Sequence, residues 1–247
     1  MTSLIIGFGE VGKGLLMNLR GEYKPDVYDS AIHGEHPENW APHYDIIHIC
    51  IPCLDQASFI EIVKAYQIRF TPTYTVIHST VPVGTSTQLG AVHSPIRGLH
   101  PNLDQGIKTF VKFLGGPQAG ELADYFRRAG MKVCVVDKAE TTELGKLLDT
   151  EYYRACIEFA HKAKELCDAY ALPYHEVYTL FNTTYNEGYT QLGYPEYVRP
   201  VLQPIPGPIG GHCVLPNKAL LAAHSPLNED GSLSAQKPSG GVVDAKT

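Results

Sequence analysis

Gly7, Gly9 and Gly12, spaced G-x-G-x-x-G, follow the short apolar run Leu4-Ile5-Ile6 and precede the helix-compatible segment Lys13–Leu19. Strand, tight glycine turn and helix, in that order, is what a dinucleotide pyrophosphate requires. Gly7 permits the sharp turn, Gly9 lets the backbone approach the phosphates, and Gly12 lets helix and strand pack closely. Phe8, Glu10 and Val11 complete the turn, whose N–H groups and helix-dipole end face an anion. Val27-Tyr28-Asp29 reads as a second strand ending in an acid, 20 residues beyond Gly9. A carboxylate there accepts from a ribose 2′-hydroxyl and repels a 2′-phosphate, which favours NAD over NADP.

Other residues carry chemistry of a different kind. Cys213 sits in a glycine-rich loop directly before a helix-compatible segment. A thiol so placed approaches a carbonyl closely, and its pKa falls near a helix N-terminus or a cation; the bland alternative is a small thiol in a tight turn. Lys146 shares a helix face with Thr150 and Tyr153, off the main apolar stripe, as either a functional cation or a solvated lysine. Arg97 and His100, on a loop near the strand ends, are an anion-holding and an acid–base candidate. Cys50 and Cys53 form a C-x-x-C, but Pro52 lies between them and no second pair at zinc spacing follows. All six cysteines read as reduced thiols, and no metal site is expected.

The elements that position these groups alternate. Strands are expected at Leu4–Ile6, Asp26–Tyr28, Asp45–Ile51, Thr75–His78, Ala91–Ser94 and Lys132–Val136. Helices are expected at Val11–Arg20, Gln56–Arg69 and Gln118–Gly130, with Ser30–His43 as a loop or short turns. This alternation implies an α/β fold: a Rossmann doubly wound parallel sheet, followed by a long helix and a small helical and loop domain. From Ala139 to Ala171 no proline occurs, and Leu144, Leu148, Tyr152, Ala155, Phe159, Ala163, Leu166 and Tyr170 recur at helical spacing. A helix of that length, about 45 Å, exceeds one face of a Rossmann domain and suits linking domains and packing in a homodimer. Tyr174–Asn182 reads as a shorter helix and 183–211 as a structured loop. Tyr185, Tyr189, Tyr194 and Tyr197 there either line a substrate pocket or pack the loop. The expected divisions are 1–138, a cofactor domain; 139–224, the long helix with the substrate and dimerisation region; and 225–247, a disordered tail.

The 247 residues are 44% hydrophobic and 19% charged, with net charge −6. That balance gives no electrostatic footprint for nucleic acid or an anionic membrane, and no apolar run is long enough to cross a bilayer. The N-terminus enters a strand directly, without a targeting segment, so a cytoplasmic location is expected.

Four segments in order give the chain a resemblance to the UDP-glucose/GDP-mannose dehydrogenase family: Ile6–Gly12 with Asp29; Ile49-Cys50-Ile51-Pro52; Ile77-His78-Ser79-Thr80-Val81-Pro82-Val83-Gly84-Thr85; and Pro208-Ile209-Gly210-Gly211-His212-Cys213-Val214-Leu215-Pro216. Ala139-Glu140 followed by Lys146 fits the family's central-helix entry. The resemblance covers about residues 1–220 and lacks the family's third, nucleoside-diphosphate-gripping domain. It implies oxidation of a nucleotide-sugar alcohol with two NAD reduced in succession. It also implies that Ile51, Pro52, Ser79 and Thr80 join Gly7–Gly12 and Asp29 around the cofactor, with Thr80 positioning water or the nicotinamide ribose. Cys213 would form a thiohemiacetal and then a thioester, and Lys146 would stabilise oxyanions. Thr150 replaces the family's asparagine, Asn217 its water-activating aspartate, and Ile96 its glutamate, which thins the equipment for thioester hydrolysis.

The residues thus support an NAD-dependent dehydrogenase of a CH–OH substrate such as a sugar nucleotide. Two alternatives stand beside it: a two-electron dehydrogenase of a smaller hydroxy acid or sugar using Lys146, and a non-catalytic NAD-binding interaction protein.

Overall fold

The computed structural model describes residues 1–33, 40–98, 101–204 and 214–224. The described residues form two compact units, the first within 1–146 together with 219–224, the second within 147–218.

The first unit is built on a seven-stranded sheet: β1 (Ser3–Ile6), β2 (Asp26–Tyr28), β3 (Ile46–Ile49), β4 (Tyr74–Ile77), β5 (Val92–His93), β6 (Lys112–Gly115) and β7 (Val133–Val136). Their order in space is β2-β1-β3-β4-β5-β6-β7. The first five strands run parallel, with Ile5 opposite both Val27 and His48, and His48 opposite Val76. β6 pairs antiparallel with β5 through His93 and Gly115, and β7 is parallel to β6. The sheet is therefore mostly parallel rather than wholly so. Strand order reverses between β1 and β3, and in such sheets the crevice beyond the carboxyl ends at that point receives ligands.

Side-chain alternation explains why the central strands read as unbroken apolar runs, since both faces are covered. Ile5, Ile46, Val76 and Val92 enter a core with Leu15 and Leu19 of α1 (Glu10–Leu19), Leu103 and Ile107 of α5 (Leu103–Thr109), and Leu122 and Phe126 of α6 (Ala119–Arg128). Leu4, Ile6, Ile47, Ile49 and Ile77 enter a second core with Phe59, Val63 and Phe70 of α3 (Gln56–Phe70). Each such side chain removed from water contributes about 1.5–3 kcal/mol. Two short helices complete the unit, α2 (Ser30–His33) and α4 (Thr85–Gln88).

Helix α7 spans Ala139–Ala169, close to its expected bounds. Beyond it, a π-helical turn at His175–Leu180 runs into α8 (Phe181–Gln191), so the start of the expected loop at 183–211 is helical. That helix was hidden by Asn, Thr, Gly and Tyr, poor helix formers, held here by packing: Tyr189 rests against Tyr197 and the Asn186 side chain accepts from the Arg199 backbone N–H. Helix α9 (Val214–His224) follows. No helix among the described residues is long and apolar enough to cross a membrane. The expected tail, 225–247, lies outside the described residues.

Candidate functional site

The turn after β1 has the steric form a dinucleotide needs. Gly7 adopts φ +95°, and a Cβ there would lie 2.8 Å from the Cys50 carbonyl oxygen. A Cβ on Gly12 would lie 2.0 Å from the Gly7 oxygen, so α1 can pack on β1 only with glycine at this position. At Gly9 a Cβ would meet nothing within 4 Å, which leaves open space against the backbone at the head of α1. Gly9 caps α1 without a side chain, and its carbonyl accepts from Lys13 N at 2.9 Å. No side chain caps this terminus, and helix N-termini in general are where backbone N–H groups and the helix dipole favour an anion. Phe8 and Val11 are half-buried beside it, and Glu10 is exposed.

Asp29 closes this turn from β2. Its Oδ2 accepts from the Phe8 backbone N–H at 2.7 Å and its Oδ1 from Ala31 N–H at 2.9 Å. Ionised, this carboxylate is an acceptor-only group at the end of β2, beside the glycine turn.

The ends of β3 and β4 meet next to the turn. Cys50 N–H donates to the Ile6 carbonyl at 2.8 Å, and the Ser79 hydroxyl donates to the Ile51 carbonyl at 2.5 Å. Ser79 is buried, Thr80 and Ile51 are half-buried, and Pro52 is exposed. Gly7–Gly12, Asp29, Ile51 and Ser79–Thr80 thus share the carboxyl edge of one sheet.

Lys146 lies half-buried on α7, in the same unit. Three contacts tie the start of α7 to the β4 edge. Glu143, fully buried, accepts from Gly84 N–H at 2.6 Å and Ser86 N–H at 2.8 Å. Thr142 Oγ1 is 2.8 Å from His93 Nδ1, and His93 Nε2 is 3.1 Å from the Ser79 carbonyl oxygen. The carbonyl fixes Nε2 as the protonated nitrogen, so Nδ1 accepts from Thr142. On the exposed side the Thr87 hydroxyl donates to Glu140 at 2.7 Å. The inward carboxylate of this first turn is Glu143, three residues before Lys146.

In the second unit, Asn217 is buried and its Nδ2 donates to Thr150 Oγ1 at 3.2 Å. The two substituted positions are thus hydrogen-bonded to each other. Cys213, with Gly210–His212 before it, lies outside the described residues, as does His100. Arg97 stacks over Phe110 and Phe113, 5.3 Å from each ring centre, and bonds the Val111 carbonyl. Those partners anchor its own loop. Tyr185, Tyr189, Tyr194 and Tyr197 contact one another, with Arg199 3.5 Å from the Tyr185 ring centre.

The sequence reading missed a buried polar row beneath this edge. His48 Nδ1 is 3.1 Å from His78 Nε2, and His78 Nδ1 is 2.8 Å from the Ser94 carbonyl oxygen. His48 Nε2 lies 3.3 Å from the Tyr125 hydroxyl, itself 3.1 Å from Ser3 Oγ. Lys112 Nζ, on β6, is 3.3 Å from His78 Nδ1. Burial holds His48 and His93 neutral, pushing each down to about 3, and His78 well below its usual range. Burial also lowers Lys112 to about 7. The Cys50 and Cys53 thiols are pushed up by burial to about 12 and about 11, so neither is a thiolate at neutral pH. The five described cysteines are free, and the C-x-x-C carries no activated nucleophile.

No family model matches the chain, and no curated protein matches its sequence. Solved structures do match its fold. UDP-D-ManNAc dehydrogenase from Pyrococcus horikoshii superposes with TM-score 0.74 at 17% identity, over 91% of this chain and 65% of that one. The UDP-N-acetyl-mannosamine dehydrogenase Cap5O from Staphylococcus aureus gives 0.62 at 18%, over 90% and 69%. The 3-hydroxyisobutyrate dehydrogenase of Mycobacterium tuberculosis, solved with L-serine, gives 0.60 at 16%, over 87% and 79%. The chain thus spans less than two thirds of the length of the first of these. At such identities the likeness is one of fold, and the chain has the Rossmann-like α/β fold these dehydrogenases share.

Proposed function

We propose that the chain is an NAD-dependent oxidoreductase acting on a CH–OH group, with a sugar nucleotide as the leading substrate class. The observation that carries this reading is the turn at Gly7–Gly12. It combines a helix that only Gly12 allows to approach, open space at Gly9, and Asp29 tied to Phe8 at 2.7 Å. The α1 N–H groups would hold the pyrophosphate and Asp29 a ribose hydroxyl, with Ile51, Pro52, Ser79 and Thr80 alongside. Bound there, NAD supplies the hydride acceptor. Lys146 would donate to the substrate oxygen as negative charge develops on it. Where an aldehyde results, the Cys213 thiol would add to its carbon, forming the S–C bond and leaving the thiol proton on the oxygen. Asn217 and Thr150 satisfy each other and offer no carboxylate to activate water, so release of an acid from Cys213 is expected to be slow.

A second reading has its own support. The chain covers 79% of the 3-hydroxyisobutyrate dehydrogenase but 65% of the sugar-nucleotide enzyme. A two-electron oxidation of a small hydroxy acid would need Lys146 and not Cys213. NADH production with UDP-N-acetylmannosamine and with 3-hydroxyisobutyrate, for wild type and Cys213→Ser, separates the two. The first reading predicts loss of acid formation in the variant; the second predicts unchanged NADH. NAD binding without turnover of either would leave the non-catalytic reading.

The same reading includes a homodimer through α7. Its stripe residues Leu148, Tyr152, Phe159, Leu166 and Tyr170 are 50–74% exposed in the single chain, an apolar row too large to leave in water without a partner. It also places the protein in the cytoplasm, where free thiols persist.

A further inference from the structure

Glu143 is a carboxylate with no exposed surface, and among the described residues its hydrogen-bond partners are two backbone N–H groups, of Gly84 and Ser86, rather than a cation. Burying a charge in this way is costly unless its hydrogen bonds are good. Burial raises its pKa, and those N–H groups oppose the rise. The bonds join two segments far apart in sequence, the loop that leaves β4 after Ser79–Thr80 and the helix that carries Lys146 one turn later. Two further observations fix the same junction. His93 bridges the Ser79 carbonyl and the Thr142 hydroxyl. A Cβ on Gly115 would lie 2.6 Å from Thr142 Oγ1 and 2.8 Å from the Lys138 oxygen, so α7 sits directly on the backbone of β6.

We propose that Glu143, backed by the Thr142–His93 pair, is the positioning residue of this site, locking the segment 79–86 to the first turns of α7 and so setting the spacing between Ser79–Thr80 and Lys146. The proposal rests on the NAD reading above. Glutamine in its place keeps one acceptor and turns an amide N–H toward a backbone N–H; alanine keeps none.

The test uses the full chain and NAD itself, with the dissociation constant measured by calorimetry at 25 °C and amide exchange followed at Gly84 and Ser86. Stability loss alone does not move the affinity of the folded fraction, so affinity is the discriminating readout. Glu143→Gln is expected to weaken NAD binding about tenfold, the value of one charge-assisted hydrogen bond. Glu143→Ala should weaken it further, with both amides exchanging faster in step. Glu140→Gln, on the exposed side, should stay within about twofold of wild type. If Glu143→Ala fails to fold, Thr142→Val, expected about threefold weaker than wild type, carries the same test. Wild-type affinity in Glu143→Gln or in Thr142→Val overturns the proposal. If wild type itself does not bind NAD, the cofactor reading fails and the positioning role falls with it, while amide exchange still shows whether the carboxylate holds the loop.

Discussion

The Phe8 backbone N–H and the Asp29 carboxylate are joined at 2.7 Å, which ties the tip of the glycine turn to the end of β2. The acid thus shapes the turn, and in the proposed function it also accepts from a ribose hydroxyl. Asp29→Ala is expected to cost about 1.5–3 kcal/mol of NAD binding, a tenfold to hundredfold rise in Kd. It should also narrow the preference over NADP, because the repelling charge is gone. Titration of both cofactors against wild type and variant checks this.

Gly9 and Gly12 make a paired experiment. Gly12→Ala sets a methyl 2.0 Å from the Gly7 oxygen and is expected to destabilise the first unit by at least about 3 kcal/mol or prevent folding. Gly9→Ala meets nothing within 4 Å, and its φ of −73° suits any residue. It should fold normally and lose NAD affinity, because the methyl occupies the space a phosphate needs. Denaturant melts and cofactor titrations of the two variants separate fold from function.

Lys112 gives the stability of the first unit a neutral-pH slope. Its folded pKa, about 7, lies below its unfolded value of 10.5, so the unfolded chain binds more protons between them. Stability is therefore expected to rise as pH climbs from 7 to 9, below the range where the raised Cys50 and Cys53 pKa values act in the opposite sense. The melting temperature should increase by roughly 5 °C over that interval, and Lys112→Met should flatten the rise. His48, His78 and His93, all lowered, add a separate loss as pH falls from 6.5 toward 3. Melting curves across pH for wild type and Lys112→Met test the sign.

The exposed stripe on α7 predicts a dimer in solution. Leu166 is 52% and Leu148 50% exposed, so Leu166→Glu and Leu148→Glu place the charge on the outward side of the helix. Sedimentation should give twice the chain mass for wild type and a shift toward monomer for each variant, with helicity unchanged.

What the sequence displayed and what it hid differ for physical reasons. β1, β3 and β4 were legible because strands covered on both faces are apolar without interruption, and the glycine turn because sterics permit no other residue at Gly7 or Gly12. β6 was hidden: it has four residues and begins with Lys112, a charged type that a sequence pattern assigns to solvent. α5 was hidden by Gly106, a weak helix former that is there because a Cβ would lie 2.6 Å from Gly98 Cα. His48 was absorbed into an apolar run, since alternation shows which face a residue takes but not which partners wait there. Glu143 was not singled out, although its spacing of three from Lys146 put both on one helix face, a usable signal.

We propose that the turn from Gly7 to Gly12, with Asp29, binds NAD. Calorimetric titration of the full chain with NAD and with NADP tests it most directly. Saturable one-site binding of NAD is expected at micromolar concentrations, with NADP at least about tenfold weaker. No binding of NAD up to millimolar concentration, or equal affinity for NADP, would contradict it.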